Sequence, residues 1–171
     1  AYSYDGSTWV GLGPIFITSG KGIAWNGSMW VAVGKGGSHH IAYSYDGINW
    51  TGVTGTGIFS EQGYGVAWNG SLWVAVGVDT VVANNIATSL DGINWTNQTC
   101  PFTTSCRSVA WNGTMWVAVG QGTYTIAYSS DGLTWTGIVG PFSNVGIGIA
   151  WNGLMWITVG NATNSIAYSY D

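Results

Sequence analysis

Short runs rich in Val, Ile, Trp and Tyr alternate along the chain with glycine-bearing dipeptides, and no stretch combines helical apolar spacing with a cap. One block reads GIAWNGSMWVAVG from Gly22, GVAWNGSLWVAVG from Gly65, SVAWNGTMWVAVG from Ser108 and GIAWNGLMWITVG from Gly148. A second reads AYSYDGSTW from Ala1, AYSYDGINW from Ala42, ATSLDGINW from Ala87 and AYSSDGLTW from Ala127, with AYSYD again from Ala167. Each unit thus holds one Asn-Gly and one Asp-Gly between strand-like runs, the signature of two hairpins with two-residue type I′ turns. Four strands per unit are predicted: a over 22–25, b over 29–34, c over 41–45 and d over 48–51, with equivalents in later units.

The units run 1–41, 42–86, 87–126 and 127–166, and a fifth starts at 167–171. Repeats of 40 to 45 residues carrying four short antiparallel strands predict an all-β fold, a β-propeller of four-stranded blades forming one domain or a segment of a longer array. The twelve tryptophans fall into three periodic sets. Trp25, Trp68, Trp111 and Trp151 are expected between blades, accompanied by the sets at 30, 73, 116, 156 and at 9, 50, 95, 135. Phe16, Phe59, Phe102 and Phe142 each stand nine residues before an AWNG tryptophan. An aromatic at every repeat is core before it is ligand platform, because a blade cannot bury its faces alone.

The Ser-x-Asp-Gly-x-x-Trp run, as in Ser44, Asp46, Gly47 and Trp50, resembles the Asp-box of sialidase-like propellers, one residue shorter than the usual form. The resemblance implies a turn-stabilising device on the blade periphery, with the Asp carboxylate accepting backbone N–H bonds and no catalytic role.

Only 6% of residues are charged, and Ser, Thr, Asn, Gly and Tyr must cover the surface, a composition associated with extracellular, cell-surface or virion-surface proteins. The basic residues are Lys21, Lys35 and Arg107, too few to neutralise a run of phosphates, so nucleic acid is not expected as a partner. No apolar run is long enough for membrane insertion as a helix. Cys100 and Cys106, in TCPFTTSC, are expected to form a disulfide, since no His or further Cys accompanies them at metal-ligand spacing. Sequons begin at Asn26, Asn49, Asn69, Asn94, Asn97, Asn112 and Asn161, and the exposed ones would carry glycan in a eukaryotic secretory setting.

Propeller geometry places the d-to-a and b-to-c connections on one face, and these are the segments that vary: KGGSHH, VDTVVANN, QGTYT and NATNS among the b-to-c loops. Loops that differ on a repeated frame are where a specific contact is expected. The candidate binding residues are His39, His40, Glu61, Tyr64, Asp79, Arg107 and Tyr124. Glu61 and Asp79 are the two carboxylates outside the repeated turn, a weak basis for a glycosidase, and adjacent His39 and His40 point to opposite sides of a strand end. Catalytic residues, a metal and a cofactor are not expected. The chain reads as a non-catalytic structural or adhesive module whose partner is a carbohydrate or protein on a surface, with homo-oligomers or a longer tandem array in view; a multivalent lectin with one site per blade is the alternative, and a glycoside hydrolase the third reading.

Overall fold

The computed structural model describes residues 1–54, 57–81, 84–161 and 164–171, and among them there is no helix. Counted by sheet, the units of the structure are offset from the sequence repeats, each taking its strands c and d from the repeat that follows; unit one in this sense is an antiparallel sheet of β1 (Ser19–Trp25), β2 (Trp30–Lys35), β3 (Ile41–Ser44) and β4 (Thr51–Gly52). Unit two repeats it with β5 (Gln62–Trp68), β6 (Trp73–Val78), β7 (Ile86–Ser89) and β8 (Thr96–Gln98). Unit three has β9 (Ser105–Trp111), β10 (Trp116–Gln121), β11 (Ile126–Ser129) and β12 (Thr136–Ile138). Unit four holds β13 (Val145–Trp151), β14 (Trp156–Asn161) and β15 (Ile166–Ser169), linked to unit three by the Gln121–Val145 pair. Residues 1–10 form a separate small hairpin closed by Tyr2 and Val10. The repeated four-stranded sheets follow one another like the blades of a propeller, β1 against β5, β5 against β9 and β9 against β13, in an arc that is not closed into a ring.

The core lies between consecutive sheets. Met29, Val31, Val33 and Ile41 of unit one meet Phe59, Trp73, Ala75 and Ala87 of unit two. Val74, Val76 and Ile86 of unit two meet Phe102, Cys106, Trp116, Ala118 and Ala127 of unit three. Alternation along strand b explains this: its second and fourth residues face the next sheet, its first and third the preceding one. Two of the tryptophan sets reach the seams between sheets, as expected of Trp68 and Trp111, and they do so to different depths. Trp73 and Trp116 are fully buried against the preceding sheet, whereas Trp68 and Trp111 pack on the same clusters while half-buried and tilt against them across the hairpin, at 5.0 and 5.1 Å between centroids. The buried indole N–H groups of Trp73, Trp116 and Trp156 find no acceptor, so apolar area holds these rings.

The periodic phenylalanines lie on glycines at the end of strand b. A Cβ at Gly34, Gly77, Gly120 or Gly160 would stand 2.7 to 3.1 Å from the ring of Phe16, Phe59, Phe102 or Phe142. Each ring closes one end of its sheet.

The turns differ from the expected type I′. Type I′ needs positive φ at both central residues. Here only the glycine has it, Gly27 at 102° and Gly47 at 73°. The Asn26 side chain instead accepts from the N–H groups of Ser28 and Met29, at 2.9 and 2.7 Å, and Trp25 pairs directly with Trp30. The link is a four-residue Asx turn, because the side-chain oxygen supplies the acceptor that a tight backbone turn would need. The Asp turn is longer still: Asp46 Oδ1 accepts from Ile48 and Asn49 N–H, Ser44 Oγ accepts from Gly47 N–H, and Trp50 Nε1 donates to Gly47 O. It consumes the residues expected at the start of strand d, so β4 begins only at Thr51.

The disulfide expectation is corrected. Both cysteines are free thiols: Cys106 sits on β9 with its side chain committed to the core and its Sγ–H facing Val119 O at 3.7 Å, while Cys100 packs on the edge of that cluster. Burial pushes the Cys100 thiol up to about 11 and the Cys106 thiol well above its ordinary value, which suits packed thiols and not reactive ones.

Candidate functional site on the inner strands

The innermost strand of every unit contains a β-bulge at the same place. The ladder skips one residue between Gly20 and Gly22, Gly63 and Gly65, Cys106 and Ser108, and Gly146 and Gly148. The residues so displaced are Lys21, Tyr64, Arg107 and Ile147. A bulge frees a side chain from the ladder and re-aims it, which is why bulges recur beside binding sites. The flanking residues must be small for a packing reason: a Cβ at Gly22 would lie 2.9 Å from Tyr64 O, and one at Gly63 2.6 Å from Val33 Cβ.

Two of these four side chains form a defined pair. The Arg107 guanidinium lies over the Tyr64 ring at 4.3 Å from its centroid, Arg107 Nε donates to Ser105 Oγ at 3.0 Å, and Gln62 Nε2 donates to Tyr64 Oη at 2.7 Å. Such stacking fixes the plane of the guanidinium and leaves its in-plane donors as the recognition edge. Lys21 and Arg107, two of the three basic residues in the chain, occupy equivalent positions in their units. Lys21 and Ile147 were missed by sequence reasoning, although the signal was present: each is the larger residue between two small ones, three positions ahead of the alanine of AWNG.

The remaining candidates hold the loops together. His39 and Tyr124 are equivalent, and each covers the glycine of its strand d, Gly52 and Gly137, with His39 Nδ1 also 3.1 Å from Val53 O. His40 occupies the seam toward unit two, where burial lowers its imidazole below the ordinary range. Its counterpart Asn85 is fully buried and donates to Phe102 O at 2.9 Å. Glu61 pairs with Lys35 at 3.3 Å across the seam between units one and two. Asp79 is buried, its N–H donates to Asn85 Oδ1, and its Oδ1 accepts from Val81 N–H. The candidates do not gather into one cleft: Tyr64 and Arg107 meet on the inner strands, His40 and Glu61 share the seam between units one and two, and His39, Asp79 and Tyr124 hold loops of their own.

The sequon asparagines are also engaged. Asn69 and Asn112 accept turn N–H groups as Asn26 does, Asn49 and Asn94 donate to Asp46 and Asp91, and Asn97 Nδ2 donates to Gly57 O. The Asn161 sequon extends outside the described residues. Among the described residues, no group of three His, Cys, Asp or Glu side chains could hold a metal ion, and no helix is long and apolar enough to cross a membrane.

This arrangement defines an all-β repeat protein of the propeller-like class, with repeated four-stranded antiparallel sheets whose inner strands are bulged. Comparison with solved structures agrees on the fold. A chain of the nidogen/laminin complex is 17% identical with a TM-score of 0.68, over 88% of this chain and 59% of that one. The computationally designed Ika4 protein is 8% identical with a TM-score of 0.67, over 90% of this chain and 92% of that one. The computationally designed Ika8 protein is 11% identical with a TM-score of 0.61, over 89% of this chain and 46% of that one. The chain thus spans a little over half of the nidogen/laminin chain and under half of Ika8. No protein-family model matches it, and no curated protein does.

Proposed function

We propose that the chain is a non-catalytic β-propeller module with Asp-box-like turns, exported or displayed on a surface, that serves a structural or adhesive role by holding a carbohydrate or protein partner. The observation that carries this reading is the contrast between a frame repeated unit by unit and the four unlike side chains at one bulge position, Lys21, Tyr64, Arg107 and Ile147. Repetition suits a scaffold, and unlike side chains at one repeated bulge suit recognition. The Tyr64–Arg107 stack offers an aromatic face with a cationic edge, chemistry matched to a carboxylated or sulfated sugar or to an acidic protein segment.

A glycan array that includes acidic sugars, followed by calorimetry on any hit, tests the reading. Binding at one site per chain is expected, with Arg107→Ala and Tyr64→Ala each weakening it by roughly tenfold or more, the scale of a lost charge-assisted contact. Several equivalent sites per chain, indifferent to Arg107, would instead favour the lectin with one site per blade.

A further inference from the structure

We infer that the ligand of the inner strands is a glycan carrying two anionic groups, one held by Arg107 and the other by Lys21, an inference that rests on the recognition role proposed above for the Tyr64–Arg107 stack. The chain has seven carboxylates and three basic side chains. Asp5, Asp46, Asp91 and Asp131 accept the backbone N–H groups of their own turns, and Asp171 accepts from Ser169 Oγ. Glu61 is paired with Lys35, and Asp79 is buried in its loop. Lys21 and Arg107 are different. Among the described residues neither makes an ion pair, and no Asp or Glu stands on any of the four inner strands, β1, β5, β9 and β13. Two unpaired cations on a surface free of carboxylates, in a chain of net charge −4, draw an anionic ligand to that surface and not to the rest of the molecule.

The two cations stand in one row. A Cβ added at Gly22 would lie 3.1 Å from Gly65 Cα, and one added at Gly65 would lie 3.5 Å from Ser108 Cα, so β1, β5 and β9 pass one another at about the spacing of paired strands. The bulge residues just ahead of these contacts are Lys21, Tyr64 and Arg107, side by side on three successive strands. Lys21 and Arg107 are thus two spacings apart, roughly 10 Å between backbones, with the Tyr64 ring between them. The guanidinium gives its face to Tyr64 and its Nε to Ser105, which leaves its terminal nitrogens as the anion-binding edge. Lys21 is exposed, on a stem long enough to meet the second charge. A disaccharide has the length to present one anionic group to each.

The surroundings of the row suit a sugar better than an acidic peptide. Glycines flank Lys21 and Tyr64 on both sides, so the floor there is backbone without the side-chain pockets that give a bound peptide its affinity. Beside the row runs a second one of hydroxyl and amide groups, two residues earlier on each strand: Ser19, Gln62 and Ser105. Gln62 and Ser105 face the same side as the bulge residues, since Gln62 Nε2 donates to Tyr64 Oη and Ser105 Oγ accepts from Arg107 Nε. Hydroxyl and amide partners beside an aromatic ring orient a sugar, and the two cations add charge-assisted bonds to its anionic groups. The row carries two charges and not three, because its fourth member, Ile147, is apolar.

Calorimetry with three forms of one disaccharide tests this: neutral, carboxylated on one ring, and carboxylated on one ring with a sulfate on the other. The doubly anionic form is expected to bind one per chain, roughly tenfold or more tighter than the singly anionic form, the scale of one charge-assisted contact. Lys21→Ala should bring the two forms level and leave the fold intact, since Lys21 is exposed. Lys35→Ala removes the same charge from β2 and should leave the preference in place. Equal affinity for the two anionic forms, with Arg107 still required, would overturn the inference while the recognition role of the stack stood. A preference that survives Lys21→Ala, one that Lys35→Ala erases equally, or tighter binding of a peptide with two adjacent glutamates would overturn it too. Binding of no acidic form would sink the inference and the recognition role together.

Discussion

Asp5, Asp46, Asp91 and Asp131 each accept two backbone N–H groups and a serine hydroxyl, and the backbone donors, Thr8, Asn49, Asn94 and Thr134 first among them, hold all four carboxyls below the ordinary range. A depressed carboxyl contributes stability above its unfolded value, near pH 4, and that contribution is lost as pH falls through the folded value. His40 adds a gentler slope: burial lowers its imidazole below the ordinary range, so the unfolded chain takes up the proton more readily, and the stability this contributes is lost as pH falls below about 6.5. Urea midpoints are expected to fall slightly from neutral pH to about pH 5 and steeply below about pH 4. Asp91→Asn should flatten the acid limb and His40→Asn the gentler one; a midpoint constant to strongly acid pH would contradict the assignment. The Asp-Gly dipeptide predicted a turn from the sequence, but the Ser44 and Trp50 bonds that lengthen it could not be read from spacing alone.

At the scale of the element, the two kinds of glycine turn have different neighbours. Gly27 and Gly92 both have positive φ, 102° and 74°, yet Gly27 faces open space and Gly92 faces Met29, Val31 and Trp73. Gly27→Ala should therefore cost only the backbone strain, on the order of 1 kcal/mol. Gly92→Ala adds a clash in which the Met29 methyl can swing aside but Val31 and Trp73, at 3.1 and 3.2 Å, hold their places, for about 2–4 kcal/mol in total. Equal losses in denaturant unfolding of the two variants would show that the turn does not pack on the preceding sheet. The strands themselves were legible to within a few residues; the bulges were not, because a one-residue insertion in a ladder changes no hydrophobic period.

Across the whole molecule, one residue type at one repeat position has unequal worth. Val76 in the middle of the arc is fully buried, and Val159 at its end is 42% exposed. Val76→Ala should lower stability by about 2 kcal/mol and Val159→Ala by less than about 0.5 kcal/mol. Comparable losses would mean that the end face is covered within one chain. The sequence by itself determined the all-β class, the four-strand repeat, the hairpins and the periodic aromatic core, because these follow from local turn chemistry and from apolar spacing within one unit. Only the tertiary structure decided that the cysteines stay apart and that Tyr64 and Arg107 stack. Each of those depends on how neighbouring sheets approach one another, a distance and an angle that no spacing along the chain records.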